Sequence, residues 1–285
     1  MTYAVTALDG VAFGLLLFVV ASGLTLIFGV MGVLNLAHGS LYLAGAALAY
    51  LLTNGGLAGL AVAVTAGALV GAACGAGLGV IMRPLERYGR LGQALATLGL
   101  ALLAADAYNT VFGGAPLLAN PPSALSGSIS VAGYGYPVYR LVFIGIAILL
   151  GLTLHLVVAR SHYGAALRAT VADPGMAAAT GINTRTVQTI AMAGGGALAV
   201  TGGVLGAPLL GPAPGVDNTV LVLSLIIVVI GGAGSIPGTL AAALLVGQVQ
   251  TVGVLVAPTA APFLLFAVLL AALAARSRHS PARPA

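Results

Sequence analysis

Lysine is absent from this chain of 285 residues, and charge of either sign is scarce: the ten basic residues are all arginines, the acids number five, and charged residues make up 5% of the whole. Ordinary soluble domains carry about 25% charged residues, so a soluble domain of any size is excluded. Without lysine there is no GxxxxGK[ST] phosphate loop, and any nucleotide hydrolysis coupled to this chain must occur on another. Five acids supply no carboxylate pair, no HExxH helix and no nucleophile elbow, so no catalytic residue is expected. The single Cys74 rules out a disulfide framework and says nothing about compartment. His38, His155, His162 and His279 are scattered without ligand spacing, so neither a metal nor a bound cofactor is expected.

What fills the chain instead is apolar: 60% of residues are hydrophobic and the mean hydropathy is +1.14. Crossing the hydrocarbon takes about 20 apolar residues per helix, with every backbone hydrogen bond satisfied internally. Apolar runs between charged or Pro/Gly breaks predict spans near residues 8–28, 33–53, 57–82, 91–112, 139–159, 187–206, 219–236, 238–256 and 260–275. The expectation is an all-α, polytopic membrane bundle of eight or nine spans forming one domain over residues 1–285, with the segments 33–53 and 231–256 open to being split or re-entrant. The opening MTYAVTALDG lacks the basic flank of a signal peptide, so the first run is expected to be retained as a span.

The arginines cluster in three places: Arg83, Arg87 and Arg90; Arg160, Arg168 and Arg185; Arg276, Arg278 and Arg283. The positive-inside rule makes these cytoplasmic, which places the N-terminus outside, the C-terminus inside and the loop 113–139 outside. Turn formers and Tyr134, Tyr136 and Tyr139 suit that loop to the membrane interface. Arg140 either snorkels outward or pairs with Asp106. In the third span Gly67, Gly71, Gly75 and Gly79 recur every fourth residue, which predicts a face for close helix packing inside the subunit.

Two stretches interrupt the apolar pattern. VMGVLNLAHGS from Val30 and VIGGAGSIPGT from Val229 both run V-x-G and place a second glycine seven residues after the first: Gly32 and Gly39, Gly231 and Gly238. Broken helices in corresponding halves point to a transport site, because unwound backbone survives at membrane depth only where it is buried in protein or lines a cavity. Asn35, His38, Gly39 and Ser40 in the first stretch, and Gly231, Gly234, Ser235, Pro237 and Gly238 in the second, are the candidate pathway residues. Asn35 and His38 either line a path or pin a kink. For His38 the choice is between a hydrogen bond to a neighbouring carbonyl and contact with a passing solute.

The loop 160–186 reads as cytoplasmic and contains a short helix with both ends specified. Asp173 is an N-cap, Pro174 fits the first helical position and Gly181 suits the left-handed residue that ends it. About two helical turns have little stability alone, so the element must pack on something, and a docking role follows.

SGLTLIFGVMGVLNLAHGSLYLAGA, GAALRATVADPGMAAATGIN and VIGGAGSIPG together resemble the signature stretches of branched-chain amino acid ABC importer permeases, specifically the shorter of the paired permeases, and the likeness runs over nearly the whole chain. The resemblance implies an inner-membrane subunit of a bacterial cell that pairs with a second homologous permease, as a heterodimer or a homodimer, and with two cytoplasmic ATPase subunits that hold ATP and Mg. A periplasmic binding protein would deliver the ligand. The bilayer completes the set of partners, and nucleic acid is not among them. By the same likeness Arg168, Asp173, Pro174, Gly175, Met176, Ala177, Ala178 and Gly181 form the coupling helix and its flank. Two positions depart from it: Gly175, Met176 and Ala177 stand where many members carry Glu-Ala-Ala, and Ser40 stands where many carry an acid. The expected mechanism is alternating access, with branched-chain or other small aliphatic amino acids as substrate. Urea or short amides are the alternatives within the class. A proton- or sodium-coupled secondary transporter using Asp106 is the alternative outside it.

Overall fold

A computed structural model describes residues 2–131 and 133–279. Eleven α-helices account for most of them: α1 (Thr2–Met31), α2 (His38–Leu52), α3 (Leu57–Met82), α4 (Gly89–Phe112), α5 (Val138–Arg160), α6 (His162–Ala172), α7 (Pro174–Ala179), α8 (Thr184–Gly206), α9 (Val216–Gly231), α10 (Ile236–Val256) and α11 (Ala261–His279). The loop after α4 holds one antiparallel hairpin of β1 (Ser128–Val131) and β2 (Tyr134–Pro137), which hydrophobic patterning did not announce. Arg283 lies outside the described residues.

The helices α1, α5, α8 and α10, and the run from α3 to α4, are long and apolar enough to cross a membrane. That run is folded back at a 3-10 turn, Arg83–Tyr88, where Arg83 reaches across to donate to Thr189 of α8 at 2.8 Å. The chain is an all-α membrane bundle. Two expected spans change character. Helices α2 and α9 have 15 and 16 residues, about 22–24 Å of helix against the roughly 30 Å of hydrocarbon, so neither crosses unaided. The expected span 33–53 begins only at His38, because Gly32 turns left-handed (φ 62°) and residues 32–37 leave the helix. The span expected at 219–236 ends at Gly231 for the same reason, with Gly232 at φ 89°.

Helices α1 and α8 lie at the centre, while α3, α4 and α5 turn most of their surface outward. The glycines of α3 explain how α8 is gripped. Gly67, Gly71, Gly75 and Gly79 are a buried stripe facing α8, and a Cβ on Gly75 would sit 2.1 Å from the carbonyl oxygen of Met192. The stripe is met from the other side by glycine: a Cβ on Gly196 would fall 2.2 Å from the Gly71 oxygen. Backbone touches backbone along this seam, which is how helices gain contact where lipid offers no hydrophobic drive.

Arg140 pairs with Asp9 of α1, not with Asp106. Asp106 is exposed on α4. The pairing follows from the packing of α5 on α1, which brings the start of α5 beside the first turns of α1.

Candidate functional site

Both expected breaks are present, and they sit against each other's halves. The end of α1 passes the second break so closely that a Cβ on Gly29 would lie 2.9 Å from the Cα of Gly234. The starts of α2 and α9 converge: a Cβ on Gly39 would lie 2.0 Å from the carbonyl oxygen of Asp217 in the first turn of α9. Two short helices thus bring their N-termini together inside the bundle, with Asp217 itself only 4% exposed. Helix N-termini carry partial positive charge, so this is a natural place for an acid.

The first break is built from side chains. Asn35 lies in the non-helical link and not on a helical face with His38. Its Oδ1 accepts from Ala37 N at 3.1 Å, its carbonyl accepts from His38 N at 3.2 Å, and its Nδ2 has no partner. His38, fully buried, donates from Nε2 to the Val20 carbonyl of α1 at 2.9 Å. A carbonyl can only accept, so Nε2 carries the proton and the unpartnered Nδ1 is a bare acceptor. Thr97 of α4 fastens the link from outside, its Oγ1 accepting from Leu36 N at 3.1 Å.

The second break is built from backbone. Gly231 and Gly238 touch across it, with a Cβ on Gly238 falling 2.0 Å from the Gly231 oxygen. Ser235 caps α10, its Oγ accepting from Gly238 N at 3.2 Å, and Pro237 fills the second helical position, where no intrahelical N–H bond is lost. Thr239 then meets Thr25 of α1 through their hydroxyls at 2.9 Å. The proposed pairing of the two stretches is shifted by one at its first glycine: the left-handed residues that end α1 and α9 are Gly32 and Gly232, each donating to the carbonyl four residues back.

The loop helix forms as α7. Asp173 Oδ1 accepts from Gly175 N at 2.8 Å and Met176 N at 3.0 Å, and Gly181 at φ 90° closes the other end as Ile182 N reaches back to the Ala177 carbonyl at 3.1 Å. Ala177 is turned inward, whereas Met176 stands 65% exposed and Gly175 and Ala178 are exposed beside it. The guanidinium of Arg168 donates to the Val158 carbonyl in the last turn of α5, and the residue is exposed. Nearby, Tyr163 donates to the Val187 carbonyl at 3.2 Å, and burial pushes its phenol up to about 12.

Sequence reasoning missed Thr97, Tyr108, Asp217 and the Thr25–Thr239 pair. A signal existed for the first two: Gln93, Thr97, Ala101 and Tyr108 are the buried residues of α4 and recur at helical spacing. Asp217 follows Gly215, the left-handed residue before α9, and carried no comparable sign.

A polytopic bundle whose two short helices begin inside it, beside breaks in both halves, is the architecture of a membrane transport protein. The profile of the family described as branched-chain amino acid transport system / permease component matches residues 6–273, and the chain belongs to that family. It is similar to the high-affinity branched-chain amino acid transport system permease protein BraD of Pseudomonas aeruginosa, with 28% identity covering 88% of this chain and 86% of that one. LivH of Salmonella typhimurium, a permease protein of the same description, is 26% identical over 85% of this chain and 83% of its own. LivH of Escherichia coli K12 is 27% identical, with 84% and 82% covered. No solved structure matches the chain.

Proposed function

We propose that this chain is the permease subunit through which an ATP-binding-cassette importer moves branched-chain or other small aliphatic amino acids inward across the plasma membrane of a bacterial cell. It acts beside a second homologous permease. The observation that carries the ATP-driven reading is α7: a six-residue helix, capped at both ends, that keeps one alanine buried and offers Met176 to a partner. A solvated connector has no need of such specification. Two ATPase subunits, holding ATP and Mg, would grip the α7 elements, and their closure would rock the bundles around a central path, with a periplasmic binding protein supplying the solute. This orientation puts residues 160–186 in the cytoplasm, residues 113–139 outside, the N-terminus outside and the C-terminus inside.

A chain so apolar and so poor in charge favours aliphatic zwitterions over sugars or ions, since a sugar would need many hydrogen-bonding side chains to replace its water. A proton-coupled carrier built on Asp106 is disfavoured by that residue's exposed position on α4. The test is co-purification of the tagged chain from its membrane, followed by ATP hydrolysis in lipid with leucine, isoleucine, valine, urea and acetamide. Recovery of a second permease and ATPases, with turnover raised by the aliphatic amino acids, supports the reading. Recovery of the chain alone, with uptake that needs a proton gradient and no ATP, overturns it.

A further inference from the structure

Between α2 and α4 runs a groove of about 300 Å³ whose walls are Leu43 and Ala47 on one side and Ala104 and Phe112 on the other, with Ser40 and Tyr108 also lining it. The volume is at the lower end of the roughly 300–1,000 Å³ typical of small-molecule sites. The lining is apolar apart from two hydroxyls. Ser40 is 8% exposed and Tyr108 6%, yet neither Ser40 Oγ nor Tyr108 Oη has a hydrogen-bond partner. A buried polar group left unpaired costs about 1–3 kcal/mol, and two on the wall of one groove mark a place where an incoming molecule supplies the missing partner.

The groove also has a direction. Ser40 is the third residue of α2, so the inner end of the groove meets the N-terminus of that helix, which no side chain caps. The outer end is framed by aromatic rings, Tyr50 standing edge-on to Phe112 at 6.4 Å between centroids and Phe112 lying against Tyr108 at 5.0 Å. The Ser40 hydroxyl and an uncapped helix start at one end favour an anionic head, and the Leu/Ala walls favour a branched aliphatic body.

We propose that the α2–α4 groove is a binding site for the aliphatic amino acid itself, with the carboxylate at Ser40 Oγ and the start of α2, the ammonium taken by Tyr108 Oη, and the side chain lying along Leu43 and Ala47 toward Phe112. The site rests on the transport reading above and adds to it the residues that hold the solute. Ser40 and Tyr108 select for a zwitterion, and the walls select against a polar side chain.

The test uses the purified complex in vesicles, with radiolabelled leucine and leucine amide as solutes. Ser40→Ala and Tyr108→Phe each remove a hydroxyl without adding bulk, and each raises the KM for leucine roughly 5- to 10-fold, the loss of about one hydrogen bond, with the effect in KM rather than kcat. Leucine amide is a poor solute for the native protein, and the preference for leucine over it shrinks in Ser40→Ala. Ala104→Phe fills the groove and removes leucine uptake from a complex that still co-purifies with its partners. A diazirine analogue of leucine, irradiated with the native protein, labels peptides within residues 43–51 or 104–112. Unchanged KM in both hydroxyl variants, or labelling confined elsewhere, overturns the site while leaving the transporter reading intact. A complex that falls apart with Ala104→Phe makes the groove a subunit contact and overturns it too. A native complex that ignores leucine altogether removes the transport reading, and the site with it.

Discussion

The two breaks are alike in outline and unlike in substance. Each ends one helix on a left-handed glycine and starts another a few residues on, but the first is held by Asn35, His38 and Thr97, whereas the second is held by the contact of Gly231 with Gly238 under a serine cap. The first retains buried polar atoms without partners, Asn35 Nδ2 and His38 Nδ1, and the described side chains of the second retain none. Backbone contact is enough to hold a helix open. The extra polar groups of the first break are therefore a difference in what holds the two helices open, and the variants below separate that difference from what the breaks share.

The largest expected effect tests what the breaks share. A methyl added at Gly39 would meet the Asp217 carbonyl at 2.0 Å, and one added at Gly238 would meet the Gly231 carbonyl at the same distance. Neither neighbour is a flexible tip, so Gly39→Ala and Gly238→Ala each lower stability by about 3 kcal/mol or more, read as a fall in thermal unfolding temperature in detergent. If one variant is tolerated, that break is looser than its partner and the shared design fails. The next effect separates the two. His38→Ala removes a fully buried ring and its bond to Val20, at a cost of about 2–4 kcal/mol, while Ser235→Ala removes one cap bond, about 1 kcal/mol. A His38→Ala protein of native stability that has lost uptake would place His38 in the path and remove its role as a strut.

A smaller structural and larger functional effect is expected at α7. Gly181 sits at φ 90°, which proline cannot adopt, and it closes an exposed helix of six residues that buries Ala177 alone. A carboxylate at the exposed Met176 removes ATP-driven uptake with a stability change below about 1 kcal/mol, Gly181→Pro removes it by unwinding the end of α7, and retained uptake in either would end the docking role.

Much of this was legible beforehand. The spans 57–82, 91–112, 139–159, 187–206 and 238–256 fall on α3, α4, α5, α8 and α10 within a few residues, because an apolar run bounded by arginine or glycine has few other solutions in lipid. The helix caps at Asp173 and Gly181 were readable because each depends only on local chain chemistry. What stayed hidden depends on which helices touch. Asp9 and Asp106 both precede Arg140 in sequence, and only the packing of α5 on α1 chooses Asp9 over Asp106. The inward turn of Ala177 is set by the surface on which α7 lands. Asp217 gained meaning only when the start of α9 was found against Gly39.

The finest test lies within the first break. Asn35→Ala removes one bond, from Ala37 N to Oδ1, and at the same time removes Nδ2, a buried donor with no partner. The buried Ala37 N–H is then left unpaired in place of Nδ2, so one orphan donor replaces another and the variant loses the value of the bond, about 1 kcal/mol. Ser235→Ala loses one cap bond of similar value, so the two variants should be about equally stable. Uptake should separate them, falling in Asn35→Ala and persisting in Ser235→Ala. If Asn35→Ala instead costs more than about 2 kcal/mol, Nδ2 has found a partner in the assembled transporter, and the polar excess of the first break is structural support that the second break obtains from its glycines.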